Sequence, residues 1–229
     1  MSKPRIAVIM DENTSSGGTR YEAAKGYFSG LIDAGGIPFG IPYHKEAIDL
    51  ILNEYDGVMA TGGRFSYPAE WYVGDEGSSS PASDRFELER ILVKACLERN
   101  KPLLGICAGM QKLACLNGCR LTRDLRATVP FAFDHDGSDK LHPVNIAPGS
   151  QLASIIGVSR IEVNSFHREA VVELGNLVTA SARADDGVVK AIEIASQSFA
   201  IGLQWHQELL SGGRHRGNAI FRAFVEAAS

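Results

Sequence analysis

Short aliphatic segments alternate with segments of helical periodicity along the first half of the chain. Helices are predicted over about 19–34, 45–53 and 82–99, and the strand-like segments between them are RIAVIM, GIPFGIP, DGVMATGG and KPLLGI. Because parallel strands need a crossover between them, this alternation predicts a mostly parallel sheet with helices on both faces. The third helix is predicted to start after Ser80-Pro81, which suit a helix start. Its buried stripe is predicted to be Phe86, Leu88, Ile91, Leu92 and Ala95.

The pattern changes after Gly118. Shorter strand-like segments follow, namely HPVNI, SRIEVNSF, LVTASARA, VVKAIEI and AIGLQW, and a last helix is predicted over about 213–227. These segments favour mixed or antiparallel strands, which we expect in a smaller sheet. A chain of 229 residues without internal repeats or long linkers predicts one α/β domain over 1–229.

Composition excludes several classes of protein. The net charge of -4 and the lack of a basic run argue against a nucleic-acid partner. No apolar stretch is long enough for a membrane span, and the start of the chain leads directly into a strand, so we expect a cytoplasmic protein. No metal site or cofactor is predicted, because no second close Cys/His pair accompanies Cys115 and Cys119. Free thiols are expected at Cys96, in the core, and at Cys107, Cys115 and Cys119.

The segment GICAGMQ places Cys107 between an apolar strand and a helix. Such a strand-to-helix turn tolerates only small neighbours and exposes a nucleophile at a strained position. The N-terminus of the following helix favours a thiolate and offers an N–H donor to an oxyanion. A buried strand-end cysteine is the alternative interpretation, and the flanking glycines favour a nucleophile.

The segment LQWHQE ends a predicted strand. On an extended backbone, residues two apart point the same way, so His206 and Glu208 are predicted to project together while Gln207 faces away. A cysteine nucleophile needs a base and an orienting group. Two solvated polar residues are the alternative, but together with the elbow these residues predict a Cys107–His206–Glu208 triad for acyl transfer.

These motifs resemble those of class I glutamine amidotransferase domains, and more closely those of the stand-alone γ-glutamyl-GABA hydrolases of peptidase family C26. The resemblance implies a three-layer, flavodoxin-like α/β sandwich with a mostly parallel central sheet and a smaller mixed or antiparallel sheet. It covers nearly the whole chain. The matching features are Tyr21 with AGGIPFGIP, DGVMATGG with Pro68 and Tyr72, DRFE at 84–87, KPLLGICAGMQ, HPV at 142–144, VNSFH at 163–167, ADDGVVKAIE at 184–193 and LQWHQE.

The resemblance also implies roles for individual residues. Cys107 would attack a γ-glutamyl carbonyl to form a thioester, His206 would transfer protons and Glu208 would orient His206. The oxyanion would be bound by the backbone N–H groups of Ala108 and Gly63. The α-amino and α-carboxylate groups of the glutamyl half would be held with the help of Gln111, Asn164, Ser165 and His167.

Several positions depart from the hydrolase pattern, mostly where the amine half of the substrate would lie. They are Ala108 in place of Arg, Phe65 in place of Asp, Arg168 and Glu169 in NSFHRE, Lys190 in place of an acidic residue, and Gln207 in place of Pro. The loop 64–80 is a candidate for amine selectivity. Tyr67, Trp71 and Tyr72 are predicted to close over a hydrophobic or cationic amine, and a merely packed loop is the alternative. His135 is placed in an acidic loop with Asp134 and Asp136.

Three functions are weighed. The first is a self-sufficient hydrolase of a small γ-glutamylated amine such as γ-glutamyl-GABA, as in polyamine catabolism, since the sequence lacks an ATP-binding loop of its own. The second is a glutaminase subunit that passes ammonia to a separate synthetase. The third is a binding protein that has lost catalysis, which the intact triad argues against. A homodimer is left open.

Overall fold

The centre of the fold is one mixed sheet. The computed structural model describes residues 2–13, 17–74 and 77–229, and within them this sheet has nine strands. From one edge to the other they are β4 (Ile37–Ile41), β1 (Arg5–Ile9), β5 (Gly57–Ala60), β6 (Leu103–Ile106), β13 (Ala200–Leu203), β12 (Val189–Ile194), β11 (Val178–Ala184), β8 (Asp136–Ile146) and β9 (Arg160–Phe166). The first five run parallel to one another, and every later pairing is antiparallel.

Helices cover both faces of this sheet. They are α1 (Lys25–Asp33), α2 (Ala47–Glu54), α3 (Arg85–Glu98), α4 (Ala108–Leu116), α5 (Leu125–Thr128), α6 (Gln151–Ile156) and α7 (Ala219–Ala227). The apolar residues of α2, α3 and α4 share one buried cluster, and those of α1, α6 and α7 share another. Successive residues of β1 alternate between the two clusters, as the pleat of a strand requires. The three-layer sandwich is therefore confirmed.

Two small antiparallel sheets complete the described part of the fold. One pairs β2 (Asp11–Glu12) with β3 (Tyr21–Glu22), and the other pairs β7 (Arg120–Thr122) with β10 (Ala170–Glu173). The predicted antiparallel strands of the second half, by contrast, mostly extend the central sheet. Because β5, β6 and β13 are adjacent and parallel, their carboxyl ends lie side by side at one end of the strands.

Some predicted helix starts were wrong. The first helix begins at Lys25 rather than near 19, because Tyr21–Glu22 forms a strand with Asp11–Glu12. The third begins at Arg85, whose backbone N–H donates to the Ser83 hydroxyl at 3.2 Å. Pro81 instead accepts a hydrogen bond from the loop residue Ser66 through its carbonyl. The last helix begins at Ala219, after a 3₁₀ turn over Arg216–Asn218.

The core positions of α3 agree with the prediction in part. Leu88 and Leu92 are fully buried, whereas Phe86, Ile91 and Ala95 are only partly buried. All four cysteines are free and buried, Cys96 in the core as predicted. The described part of the chain contains no helix that is long and apolar enough to cross a membrane.

Candidate active site

Cys107 lies between the last residue of β6 and the first residue of α4. Its backbone has φ 50° and ψ -103°, which is a strained conformation for a residue other than glycine. Two hydrogen bonds hold this conformation: the Cys107 N–H donates to the Leu203 carbonyl at 2.7 Å, and its own carbonyl accepts from the Gln111 N–H at 3.0 Å. Neighbouring strand and helix thus fix the strained elbow, and the Cys107 residue is 6 % exposed.

The glycines on either side of Cys107 allow backbone segments to touch. A Cβ at Gly109 would lie 2.1 Å from the Ala60 carbonyl oxygen, and one at Gly105 would lie 2.7 Å from the backbone of Gly109. Any larger residue at these positions would push α4 away from the sheet. The helix that starts at the nucleophile therefore rests directly on the end of β5.

His206 and Glu208 form a pair beside Cys107 in which the carboxylate is buried and the imidazole is partly exposed. His206 Nδ1 and Glu208 Oε1 are 2.6 Å apart, and the Glu208 side chain is 3 % exposed. Burial alone lowers the pKa of His206, but the negative charge of Cys107 and the Glu208 carboxylate outweigh burial and raise this pKa to about 10. The site therefore favours the imidazolium form of His206.

The predicted geometry of this pair was wrong, although the two side chains do meet. Strand β13 ends at Leu203, and Glu208 lies in a 3₁₀ turn over Gln207–Leu210 that begins after His206. The turn, not an extended strand, brings the side chains together. Gln207 does face away, since its Oε1 accepts from the Trp205 indole N–H at 2.9 Å.

Asn164 holds the backbone of His206. Its Nδ2 donates to the His206 carbonyl at 2.8 Å, and its Oδ1 accepts from the His206 N–H at 2.8 Å. Asn164 lies on β9, the far edge strand of the sheet, so this pair of bonds fixes the position of His206 from a distant part of the chain. The structure thus places Asn164 behind His206.

Gly63 and Ala108 both lie near Cys107, one across the cleft lining and one next in the chain. Gly63 follows β5 and lines the same clefts as Cys107. Ala108 is the first residue of α4, and the first N–H groups of a helix have no intrahelical acceptor. The backbone N–H groups of these two residues stay the predicted oxyanion donors.

A cleft opens beside Cys107. Gln111 lines it and is buried, so it is not a solvated helix residue. Its Nε2 donates to the Glu169 carbonyl at 2.9 Å, and its Oε1 accepts from the Tyr67 hydroxyl at 3.2 Å. The charged side chains around this cleft are those of Arg64, Arg123, Arg168 and Glu169.

Comparison with known proteins shows the family of this chain. The family model for peptidase C26 matches residues 4–208. The chain belongs to the peptidase C26 family. Among its C26-like relatives, γ-glutamyl-γ-aminobutyrate hydrolase PuuD of Escherichia coli K12 is 28 % identical over 99 % of this chain and 94 % of that protein. A putative glutamine amidotransferase-like protein of Lactococcus lactis, YvdE, is 35 % identical over 81 % of this chain and 80 % of that protein.

Solved structures agree with this C26 fold. A putative GMP synthase subunit from Thermoplasma acidophilum has a TM-score of 0.70 at 17 % identity, over 100 % of this chain and 95 % of that chain. A glutamine amidotransferase from Thermotoga maritima has a TM-score of 0.67 at 16 % identity, over 100 % of this chain and 97 % of that chain. At these identities the comparison shows the fold alone.

Ser165 and His167 contact a buried lysine in this C26 domain. The Lys190 ammonium donates to the Ser165 hydroxyl at 2.8 Å and lies 3.0 Å from His167 Nε2. Burial lowers the pKa of Lys190 to about 7, despite the opposing charges of Asp186 and Cys107. Of these two residues, which were both predicted to help hold the substrate, His167 lines the cleft beside Cys107, whereas the Ser165 side chain lies behind it.

His135 is the last residue of the loop before β8, as predicted, but its side chain points into the protein. His135 is buried, and its Nε2 lies 2.8 Å from Asp186 Oδ2 rather than beside Asp134 or Asp136. Its Nδ1 contacts the Ser165 hydroxyl at 3.0 Å, which joins it to the Lys190 cluster. Burial and the charge of Lys190 lower the pKa of His135 to about 4.

The aromatic residues of the loop 64–80 are mostly packed into the protein. Trp71 packs against Tyr67 and Phe86 at ring-centroid distances of 5.5 and 5.3 Å, and Tyr72 donates its hydroxyl to Glu169 Oε2 at 2.8 Å. Of the three aromatic residues predicted to close over the amine, Tyr67 lines the cleft beside Cys107, as does the neighbouring Phe65. The packed-loop alternative therefore describes Trp71 and Tyr72, while residues 75 and 76 of the loop lie outside the described residues.

Sequence reasoning missed a buried ionic cluster behind the Gly62–Gly63 turn. Arg85, Glu89 and Lys112 each have a side chain that is 0 % exposed, and Glu89 pairs with both cations. One signal was available, because Lys112 interrupts an otherwise apolar run in MQKLACL. A lysine in a fully buried helix requires a buried partner.

Proposed function

We propose that this chain is a cysteine-dependent γ-glutamyl hydrolase that releases glutamate from a small γ-glutamylated amine. One observation carries the proposal. Cys107 stands at a strained elbow and shares a cleft with His206, whose Nδ1 is bonded to the buried Glu208. A nucleophile, a base and an orienting carboxylate in this relation form the constellation used for acyl transfer.

In the first half of the reaction, the Cys107 thiolate attacks the γ-carbonyl carbon of the glutamyl group. The carbonyl oxygen becomes an oxyanion, which accepts hydrogen bonds from the N–H groups of Ala108 and Gly63. His206, held as an imidazolium, gives its proton to the nitrogen of the leaving amine. The C–N bond breaks, the amine departs, and a thioester remains on Cys107.

In the second half, water attacks the thioester carbonyl while neutral His206 accepts one of its protons. The same two N–H groups bind the second oxyanion, the C–S bond breaks, and glutamate leaves with the thiolate restored. Glu208 keeps Nδ1 of His206 as the hydrogen-bond donor to the carboxylate throughout, so Nε2 remains the nitrogen that exchanges protons. Asn164 keeps the ring in place through the His206 backbone.

The proposed substrate has two halves, a glutamyl group and an amine. Gln111 and His167 line the cleft beside Cys107 and would contact the glutamyl half, with Asn164 and Ser165 supporting the site from behind. Relatives named γ-glutamyl-γ-aminobutyrate hydrolase support a γ-glutamylated amine as the substrate class. We place the reaction in the cytoplasm, in amine catabolism.

The test is glutamate release by the purified protein alone. Glutamine, γ-glutamyl-GABA, γ-glutamyl-putrescine and γ-glutamyl peptides are compared, and we expect release from at least one γ-glutamylated amine. Cys107→Ala should abolish it, whereas Cys115→Ala on the same helix should retain most of it. Release from glutamine alone would instead indicate a glutaminase subunit that serves a separate synthetase, and release from no substrate would indicate a binding protein.

A further inference from the structure

Arg85 is buried at the first position of α3, and its donors meet the turn that follows β5. Its Nη1 donates to the Gly62 carbonyl at 2.7 Å, and its Nη2 donates to the Thr61 carbonyl at 2.7 Å and to the Thr61 hydroxyl at 3.0 Å. Burying a guanidinium is costly unless its N–H groups find acceptors. Here two successive backbone carbonyls supply them, so one side chain fixes the direction of two successive peptide groups.

The direction of a carbonyl also sets the direction of the N–H in the same peptide group. In a planar trans peptide the C=O and N–H point opposite ways. The peptide between Thr61 and Gly62 shows this, because its carbonyl meets Arg85 while the Gly62 N–H meets the Tyr27 hydroxyl at 3.0 Å. In the next peptide the Gly62 carbonyl also meets Arg85. The Gly63 N–H must therefore point away from Arg85, toward the cleft that Gly63 lines with Cys107.

The same ionic cluster reaches the helix that carries the nucleophile. Glu89 Oε1 accepts from Arg85 Nη2 at 2.9 Å, and its other oxygen pairs with the Lys112 ammonium. Lys112 belongs to α4, which begins immediately after Cys107. Asp11 adds a fourth charge, with its Oδ1 at 3.0 Å from Arg85 Nη1. Burial and the charge of Arg85 hold the pKa of Lys112 well below its ordinary value, but its contact with Glu89 still links the turn after β5 to the nucleophile helix.

We infer that Arg85 is a positioning residue, which aims the Gly63 N–H at the oxyanion by holding the Gly62 carbonyl on the opposite side of the peptide. A reversed peptide would present the Gly62 carbonyl oxygen to the oxyanion, where it would repel the negative charge. Every bond in this arrangement lies within one chain, so the orientation requires no second protein. The inference rests on the proposed hydrolase function, for which the oxyanion donor is needed.

The test compares Arg85→Lys with Arg90→Lys. Lysine keeps the positive charge for Glu89 and Asp11, but its single ammonium lacks the planar fork by which Nη1 and Nη2 of Arg85 reach separate carbonyls. Arg90 lies on the same helix, with an exposed ion pair to Glu87, and serves as the control. Four quantities are measured: kcat, KM, the affinity for a γ-glutamyl aldehyde that forms a tetrahedral adduct with the cysteine, and the rate at which iodoacetamide alkylates Cys107.

For Arg85→Lys we expect kcat and the aldehyde affinity to fall together by about 100-fold, the usual effect of losing one oxyanion donor. KM and the alkylation rate should stay within about threefold of wild type, because neither depends on the oxyanion. Arg90→Lys should leave all four unchanged. If Arg85→Lys does not fold, Tyr27→Phe takes its place. It removes the acceptor of the Gly62 N–H. Because the same hydroxyl also contacts Glu208, the outcome is decided by two quantities together: the aldehyde affinity should fall by about tenfold while the alkylation rate stays within about threefold.

Two results would overturn the inference while leaving the function intact. One is an active wild type in which the folded variant keeps its kcat and aldehyde affinity. The other is a variant whose alkylation rate falls as far as its kcat, which would indicate general collapse of the site. A wild type that hydrolyses no γ-glutamyl substrate would overturn the proposed function and this inference together.

Discussion

Two histidine–carboxylate pairs with similar nitrogen–oxygen distances differ in this protein, because the pKa values of their histidines are shifted in opposite directions. His206 is 2.6 Å from Glu208, and His135 is 2.8 Å from Asp186. The pKa of His206 is raised to about 10, whereas that of His135 is lowered to about 4. Burial lowers the pKa of both rings, so burial does not separate them.

A third charged group beside each pair accounts for the opposite pKa shifts of the two histidines. Cys107 places a negative charge beside His206, and Lys190 places a positive charge near His135 through the Ser165 hydroxyl. A carboxylate at hydrogen-bond distance is therefore not enough to make a histidine cationic. The candidate active site is distinguished by the sulfur, and the second cluster by its lysine.

The largest expected difference between the pairs is in catalysis. Glu208→Gln should lower kcat/KM for a γ-glutamyl amine by about 10³- to 10⁴-fold, because the amide can favour the wrong tautomer of His206 and cannot stabilise the imidazolium. Asp186→Asn makes the matching change in the other pair and should cost less than about tenfold. Glutamate release by the two variants measures this contrast, and similar losses would show that the pairs are not functionally distinct.

The next effect concerns stability and Lys190. Its pKa is about 7 in the folded protein against the ordinary 10.5, so between these values the unfolded chain keeps a proton that the folded protein has released. The free energy of unfolding should therefore rise with pH in this window, by up to about 1.4 kcal/mol per pH unit from this group.

Lys190→Met should remove that contribution and make the protein relatively more stable at and below pH 7. Urea unfolding at intervals from pH 6 to 10 measures the difference between wild type and variant. Lys94→Met, which removes an exposed ion pair with Glu98, is the control and should change the slope little. If the free energy of unfolding depends on pH in the same way for wild type and Lys190→Met, burial does not lower the pKa of Lys190.

A smaller effect should appear at His206 when the sulfur is removed. Cys107→Ala eliminates the negative charge that opposes burial, so the pKa of His206 should fall from about 10 by at least about one unit. Imidazole proton shifts followed by NMR against pH report this value. A pKa that stays near 10 in Cys107→Ala would assign the whole upward effect to Glu208.

The smallest effect should appear at His135. Lys190→Met removes a repelling charge but leaves burial, which is the larger cause, in place. The pKa of His135 should thus rise from about 4 but stay below its ordinary value of 6.5. The same NMR titration detects the change, and a value unaltered by Lys190→Met would show that burial alone sets it.

Local patterns predicted the elements that carry the nucleophile. The aliphatic KPLLGI and the apolar spacing of MQKLACL predicted β6 and α4, because both are dictated by neighbours in the chain. The pairing of His206 with Glu208 was also predicted, but from an extended backbone. Where β13 stops is decided by its partner strands β6 and β12, and the sequence of LQWHQE alone does not contain that information.

The contacts that depend on distant segments could not be read from the sequence. Arg85 and Glu89 are spaced as a helical pair, which usually lies in solvent, and only the fold places them behind the turn after β5. Asn164 bonds to a backbone 42 positions away. Lys190 offered a signal, as a charge within the apolar strand VVKAIEI, but its partners come from β9 and the segment after it.

The contact between Gly109 and Ala60 has a consequence for how this site can change. Main chain meets main chain there, so the spacing between the sulfur and the turn that faces it depends on no side chain that lines the cleft. Exposed residues that line the cleft, among them Arg64 and Arg168, can thus be exchanged without altering that spacing. Substitutions among the lining residues can thus accommodate new substrates, while the distance between the sulfur and the facing turn stays the same.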